Sequence, residues 1–272
     1  MTQIPEPGLL VTLRHGESVW NKLNLFTGWR DVPLTDLGVS EAAAAGRTIA
    51  DAGLSFDIAH TSVLTRAVVT ANLALDALGM VWLPVMRTWR LNERHYGALQ
   101  GLDKKETTER HGAEQTHLWR RSVNVPPPPV AVESPEHPRN DPRYARLPPD
   151  VLPATECLLD VIVRVLPYWY DTIVPQLRGG LDVLVVAHGN SLRALMMHLE
   201  RISASEIAEI NIPTGAPRLY RFDSDLLVTS AEYLGDQALI AAKAAAVAAQ
   251  AGAGEPAAAE PSGTPPGQSA AR

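Results

Sequence analysis

Leu9-Leu10-Val11-Thr12-Leu13-Arg14-His15-Gly16 and Asp182-Val183-Leu184-Val185-Val186-Ala187-His188-Gly189 decide the fold. Each is a nearly continuous apolar run, without the alternation of a strand that keeps one face wet, and each stops at His-Gly. Such runs suit strands buried on both faces of a mostly parallel sheet. In an open parallel sheet the ligand crevice lies outside the carboxyl ends of the strands. Two histidines at such ends can therefore face one reacting group, and the glycine after each lets the backbone approach a ligand closely. Taken singly, each histidine reads as well as a satisfied residue at a strand end; the matched pair is what points to a site.

Working outward, helical and strand patterns alternate, which reads as α/β. Thr35 is a plausible N-cap for a helix continued by Leu37, Ala44 and Ala45 towards Gly53. Asp57 to Thr61 is a short strand, after which Ser62 is expected to cap a helix with an apolar stripe of Leu64, Val68, Ala71, Leu75 and Leu78. From Thr155 a long helical pattern, with Leu158, Leu159, Ile162, Val165, Leu166 and Trp169 on its apolar side, runs through Pro167, which should kink it, to Gly179-Gly180. A helix from Ser191 to about Arg201 follows the second His-Gly. Ser203-Ala204-Ser205-Glu206 is a capping box, and Arg218 to Phe222 with Leu226 to Ala231 reads as a hairpin across Asp223-Ser224-Asp225. These elements are expected to form one domain over residues 8–236.

Two segments stand apart by composition. Residues 126–153 hold ten prolines, four in succession at Pro126 to Pro129, and read as a long surface excursion with little apolar material to bury. Residues 237–272 carry alanine at fifteen of 36 positions. A short helix is expected over Ala238 to Gln250, with disorder at the extreme end.

The whole chain has 272 residues, 24 Lys+Arg against 30 Asp+Glu for a net charge of −6, and 46% hydrophobic residues. This composition can bury a core, and an acidic balance argues against sequence-independent binding to nucleic acid or to an anionic membrane. Cys157 is the only cysteine, so neither an intrachain disulfide nor a cysteine-based zinc site can form, and the cytoplasm is the expected compartment. No run reaches the ~20 apolar residues of a membrane span, and Met1 to Gly8 lacks the pattern of a signal peptide.

Around the two histidines the chain offers many cations: Arg14, Arg66, Lys104, Arg120 and Arg121. Arg66 lies in the first turn of its helix, where a positive charge opposes the helix dipole unless an anion sits nearby. A solvated surface arginine is the alternative, as a solvated face is for Arg120-Arg121. The N–H groups of Asn190 and Ser191 at a helix start are candidates for holding a phosphoryl oxygen. Glu93, in Leu91-Asn92-Glu93-Arg94-His95-Tyr96-Gly97, is the candidate general acid and base; an ion pair with Arg94 is its structural alternative.

Arg14-His15-Gly16-Glu17-Ser18, Asn21, Phe26-Thr27-Gly28-Trp29, Asn92 to Gly101, Trp119-Arg120-Arg121-Ser122 and Ala187 to Ala194 together resemble the cofactor-dependent phosphoglycerate mutases of the histidine phosphatase superfamily. The proline-rich excursion and alanine-rich tail resemble its actinobacterial branch. The resemblance spans roughly Gly8 to Leu234 and implies a three-layer α/β/α fold. It implies that His15 becomes phosphohistidine, that Glu93 moves the substrate hydroxyl proton, and that His188 stabilises the transferring group while Arg14, Arg66 and Asn21 hold its oxygens. Lys104, Arg120, Arg121 and Tyr96 would bind the substrate's other anionic end, with Ser18, Thr27, Gly28, Gly189 and Asn190 completing the pocket. It further implies 2,3-bisphosphoglycerate as primer, small phosphoglycerate substrates, no metal, and a homo-oligomer, dimer or tetramer. The chain after about Tyr233 is the candidate lid against water. Rival readings are a broad-specificity histidine phosphatase and a non-catalytic binding protein on the same fold.

Overall fold

The computed structural model describes residues 6–249. The chain opens with β1 (Leu10–Arg14), a short α1 (Val19–Lys22), α2 (Asp36–Asp51), β2 (Ile58–Thr61), α3 (Thr65–Ala77) and β3 (Val85–Arg87). It continues through α4 (Lys104–His111), α5 (Ala113–Arg121), α6 (Leu158–Tyr168), α7 (Val174–Arg178) and β4 (Val183–Ala187). It closes with α8 (Gly189–Leu199), α9 (Ala204–Glu209), β5 (Pro217–Phe222), β6 (Val228–Tyr233) and α10 (Gln237–Ala249). The six strands form one sheet in the order β3-β2-β4-β1-β5-β6, with β3, β2, β4 and β1 parallel and β5 antiparallel to its neighbours.

The continuous apolar runs are explained by two cores. Val11 and Leu13 of β1, with Leu184 and Val186 of β4, pack under Ala45 and Ile49 of α2 and Ala71 and Leu75 of α3. Leu10, Val183, Val185 and Ala187 point the other way, against Val161 and Val165 of α6 and Leu192 and Leu195 of α8. Alternate residues of a strand face opposite sides, so helices on both faces demand apolar residues at every position. The result is a three-layer α/β/α arrangement. Each fully buried Leu, Ile or Val contributes about 1.5–3 kcal/mol.

Thr35 caps α2 by accepting from the Gly38 N–H at 3.1 Å, and Ser203 and Glu206 form their capping box on α9. Four expectations need correction. The N-cap of α3 is Leu64 and makes no side-chain cap bond; Asp31 reaches in from a distant loop to accept from the Thr65 N–H at 2.8 Å. Helix α8 starts at Gly189, because Ser191 Oγ accepts the His188 N–H and makes His188 the N-cap. The buried stripe of α6 is Leu158, Val161, Val165 and Trp169, whereas Leu159 is half exposed, since this helix is apolar nearly all round and only its packing selects the face. The second hairpin strand begins at Val228, because Asp223 accepts from the N–H groups of Asp225 and Leu227 and extends the turn. A wide π-turn over Trp169–Ile173 interrupts the long helix between Pro167 and Pro175, two residues with no N–H for the ladder.

The proline-rich segment is not a bare surface loop. Tyr144, in a 3₁₀ turn over Pro142–Tyr144, is 2% exposed, packs its ring on Trp29 at 4.8 Å and accepts a hydrogen bond from Asn92 Nδ2 at 2.8 Å. The expectation of a tail helix over Ala238 to Gln250 meets α10, Gln237–Ala249. The expectation of disorder beyond it lies outside the described residues. Among the described residues no helix is long and apolar enough to cross a membrane.

Candidate active site

Because β1 and β4 are neighbours in register, Arg14 opposite Ala187, the residues that follow them meet. His15 N–H donates to Ala187 O at 3.0 Å, and the His15 and His188 rings lie 4.9 Å apart. His15 Nδ1 sits 2.7 Å from Gly16 O. A carbonyl can only accept, so Nδ1 carries the proton and Nε2 presents its lone pair. Burial, reinforced by the charges of Arg66 and Arg14, holds the imidazole pKa well below the usual histidine value. The ring is therefore neutral at pH 7, with Nε2 the nucleophilic atom. His188 is likewise depressed, by burial and then by Arg66 and His15. Its Nε2 shares a 2.7 Å hydrogen bond with Ser62 Oγ, and its Nδ1 is buried without a partner.

The glycine after His15 has a different role from the one expected. A Cβ at Gly16 would lie 2.2 Å from Gly38 O, so this glycine admits the start of α2. A Cβ at Gly189 would meet only ordinary contacts, 3.6 Å from Glu93 Oε2 and 3.7 Å from Arg14 Cζ.

Arg14 and Arg66 are buried, not solvated. Arg14 Nη1 donates to Ile212 O at 2.6 Å; Arg66 donates to Gly28 O at 2.8 Å and Arg30 O at 3.0 Å. The Nε of each is buried without a partner. Neutral carbonyls fix both guanidiniums, and burial lowers the pKa of both, that of Arg66 to about 10, against the opposing pull of Glu93 on each. Gly28, at φ +53°, turns its carbonyl to Arg66 in a space where a Cβ would strike Gln100 Oε1 at 2.1 Å.

Glu93 makes no ion pair with Arg94. Its Oε1 accepts from the backbone N–H of Arg94 at 2.8 Å and of Asn190 at 3.0 Å. The N–H of Asn190 thus serves Glu93 and is not open to a phosphoryl oxygen, a correction that follows from the earlier start of α8. Asn190 Nδ2 reaches Tyr96 Oη at 3.2 Å, and the Arg94 guanidinium lies over the Tyr96 ring at 4.5 Å. Burial raises the Tyr96 pKa, but the charge and hydrogen bond of Arg94 together with the charge of Arg120 make the net shift downward.

Lys104, Arg120, Arg121 and Arg193 line one cleft with Arg14, His15, Asn21, Thr27, Gly28, Arg66, Glu93, Tyr96, Gly189 and Asn190. The cleft encloses about 690 Å³, including solvent at its mouth. Burial and mutual repulsion push the Lys104 pKa down to about 7, with Arg120 and Arg14 contributing, and that of Arg193 to about 9. Ser18 is fully buried outside this lining, where it caps α1 and bonds Asn21 Oδ1 at 2.9 Å. His188, whose ring is 4.9 Å from that of His15, is likewise absent from the lining. The sequence reading missed Arg193, which donates to Asn190 Oδ1 at 3.0 Å, and saw only a capping role for Ser62, whose hydroxyl accepts from the Leu64 N–H at 3.2 Å just ahead of α3 and also bonds His188. Val247 of α10 also lines the cleft.

A buried neutral imidazole inside an anion-demanding ring can accept and pass on a phosphoryl group. Comparison with known proteins agrees with this geometry. The sequence pattern of the histidine phosphatase superfamily (branch 1) matches residues 10–141 and 133–230. The chain is 57% identical over 241 residues to a 2,3-bisphosphoglycerate-dependent phosphoglycerate mutase of Nitratidesulfovibrio vulgaris (strain Hildenborough), covering 89% of this chain and 96% of that one. The corresponding protein of strain Miyazaki F is 55% identical, covering 89% and 97%. Among solved structures, a mycobacterial glucosyl-3-phosphoglycerate phosphatase in complex with VO3 shares the fold at a TM-score of 0.63 and 21% identity, over 83% of this chain and 97% of that one. With its paired histidines at adjacent strand ends, the chain belongs to the histidine phosphatase superfamily and, within it, to the 2,3-bisphosphoglycerate-dependent phosphoglycerate mutase family.

Proposed function

We propose that the protein interconverts 3-phosphoglycerate and 2-phosphoglycerate through a phosphohistidine on His15. The observation that carries the reading is the neutral His15, its Nδ1 proton held by Gly16 O, set among buried arginines whose Nε atoms have no partner. Those orphaned donors fit a ligand rich in acceptor oxygens, and the six lysine and arginine side chains that line the cleft fit one with more than one anionic group. 2,3-bisphosphoglycerate, when bound, supplies the phosphoryl group that first loads His15.

His15 Nε2 then carries PO₃, with Arg14, Arg66 and Asn21 around its oxygens. Ser62 Oγ bonds Nε2 of His188, and in the tautomer in which the hydroxyl donates, the unpartnered Nδ1 carries an N–H for the developing charge on the phosphoryl oxygens. Glu93, fixed by two backbone N–H groups, takes the proton of the substrate's free hydroxyl as that oxygen attacks phosphorus and the P–N bond breaks. Lys104, Arg120, Arg121 and Tyr96 hold the carboxylate end. A cleft lined by several cations accepts the doubly phosphorylated species in either orientation, so the other phosphate can return to His15 as Glu93 gives the proton back. Water would hydrolyse the phosphohistidine, and α10, with Val247 at the cleft and Lys243 Nζ 3.0 Å from Glu41 Oε1, is the lid that limits it.

The enzyme acts in the cytoplasm, in keeping with its lone buried cysteine. It assembles as a homo-oligomer, in keeping with Val81, Trp82 and Met86 exposed beside and on the β3 edge. The test is a steady-state assay between the two phosphoglycerates with and without 2,3-bisphosphoglycerate. Isomerisation stimulated by the bisphosphate is expected; release of inorganic phosphate alone would make the protein a phosphatase, and neither activity would make it a binding protein.

A further inference from the structure

Behind Glu93 lies a buried ion pair that the reaction as described does not use. Arg164 of α6 and Glu156, which precedes that helix, have side chains only 6% and 3% exposed, and Arg164 Nε donates to Glu156 Oε1 at 2.6 Å. A second bond joins Arg164 Nη2 to Glu156 Oε2 at 3.0 Å, and the other side-chain hydrogen bonds of the pair are directed at the backbone of the segment carrying Glu93. Arg164 Nη1 donates to Arg90 O at 2.7 Å, and Nη2 donates to Asn92 O at 3.0 Å and Glu93 O at 2.9 Å. Glu156 Oε2 accepts from the His95 N–H at 2.7 Å, and the Glu156 N–H donates to His95 O at 2.9 Å. From the other side Trp29 Nε1 donates to Glu93 O at 2.5 Å, and the Arg164 guanidinium lies 5.6 Å from the centre of the Trp29 ring.

Two charges taken out of water are costly, and such a pair is weak evidence for stability alone. Its pattern is better explained by geometry. Residues 90–95 form neither a regular helix nor a strand apart from the single 3₁₀ turn Trp89–Leu91, so no ladder fixes them. Their carbonyls are held by a planar fork whose donors have one spacing, which a flexible ammonium cannot reproduce. Asn92, in the same grip, accepts from the Val63 N–H at 3.2 Å and so ties this segment to the loop bearing Ser62, the partner of His188.

We propose that Arg164, held by Glu156, is a positioning residue that fixes the backbone of Glu93 so that its carboxyl meets the substrate hydroxyl. The inference rests on the acid–base role given to Glu93 above. It is tested with Arg164→Lys, which keeps a charge beside Glu156 but loses the fork, and with the double variant Arg164→Met/Glu156→Leu, which leaves no unpaired buried charge. Each is measured for isomerisation and for the stoichiometry of acid-labile phosphate on His15 after loading with 2,3-bisphosphoglycerate. The expected result is a turnover per labelled site about 100-fold lower, the scale of a ~1 Å misplacement, with KM changed less than about threefold and the pH profile of kcat altered. A purely structural role would lower the labelled fraction in step with activity and leave turnover per labelled site and the pH profile unchanged, and that result in either variant overturns the proposal. Glu93→Gln separates the two ideas: full turnover in that variant removes the acid–base role itself, whereas a slow Glu93→Gln beside a fast Arg164→Lys removes only the positioning role.

Discussion

At the scale of single residues, the site works because several cations are buried close to one another, so that burial and mutual repulsion outweigh the acidic groups near them. Lys104 shows the consequence most clearly. Its pKa of about 7 is set by burial and by Arg120 and Arg14, so an anionic ligand that offsets those effects must raise it and take up a proton on binding. A group whose pKa rises on binding contributes affinity fully below its free value and loses it as pH climbs through the bound value. Affinity for phosphoglycerate should therefore be strongest below pH 7 and weaken towards pH 9, by at most about tenfold per pH unit for one proton. Lys104→Met should bind more weakly at pH 6.5 and show a flatter profile over that range; an unchanged slope would exclude Lys104 as its source. The residues easiest to read in the sequence were those whose chemistry coincides with local pattern, as when His15 and His188 end apolar runs. Ser62 was read only as a cap because a serine before a helix looks like one, and only the fold shows that its hydroxyl also meets His188.

At the scale of elements, β1 and β4 were legible because burial on both faces forces apolar residues at every position, and the site followed from their adjacency. The proline-rich excursion was the least legible. Tyr144 is its anchor, but the groups that bury it, Trp29 and Asn92, lie far away in sequence. Arg164 was hidden for a similar reason: its partners are mostly backbone carbonyls, which no side-chain pattern displays. Helix α10 carries a prediction at this scale. It is mostly exposed and is attached at Lys243, to Glu41 Oε1 at 3.0 Å and to Thr214 O at 3.2 Å. Truncation after Leu234 should lower isomerisation much more than phosphate release, because the role proposed for this helix is to protect phosphohistidine from water rather than to form it. Equal losses in the two activities would rule out that role.

At the scale of the molecule, α/β layering brings the carboxyl ends of two neighbouring strands, the start of α3 and the segment 92–96 around one cleft, and the helices on both faces keep that framework stiff. An acidic protein thereby concentrates a local cationic field that its net charge of −6 conceals. The proposed chemistry places the phosphoryl group on Nε2 of His15. Loading the protein with 2,3-bisphosphoglycerate and examining the acid-labile phosphate by phosphorus and nitrogen NMR, in the wild-type chain and in His15→Ala, tests this directly. One phosphate per chain on Nε2 of His15, absent from the variant, is the predicted result; phosphate on Nδ1, or labelling that persists in His15→Ala, would contradict it.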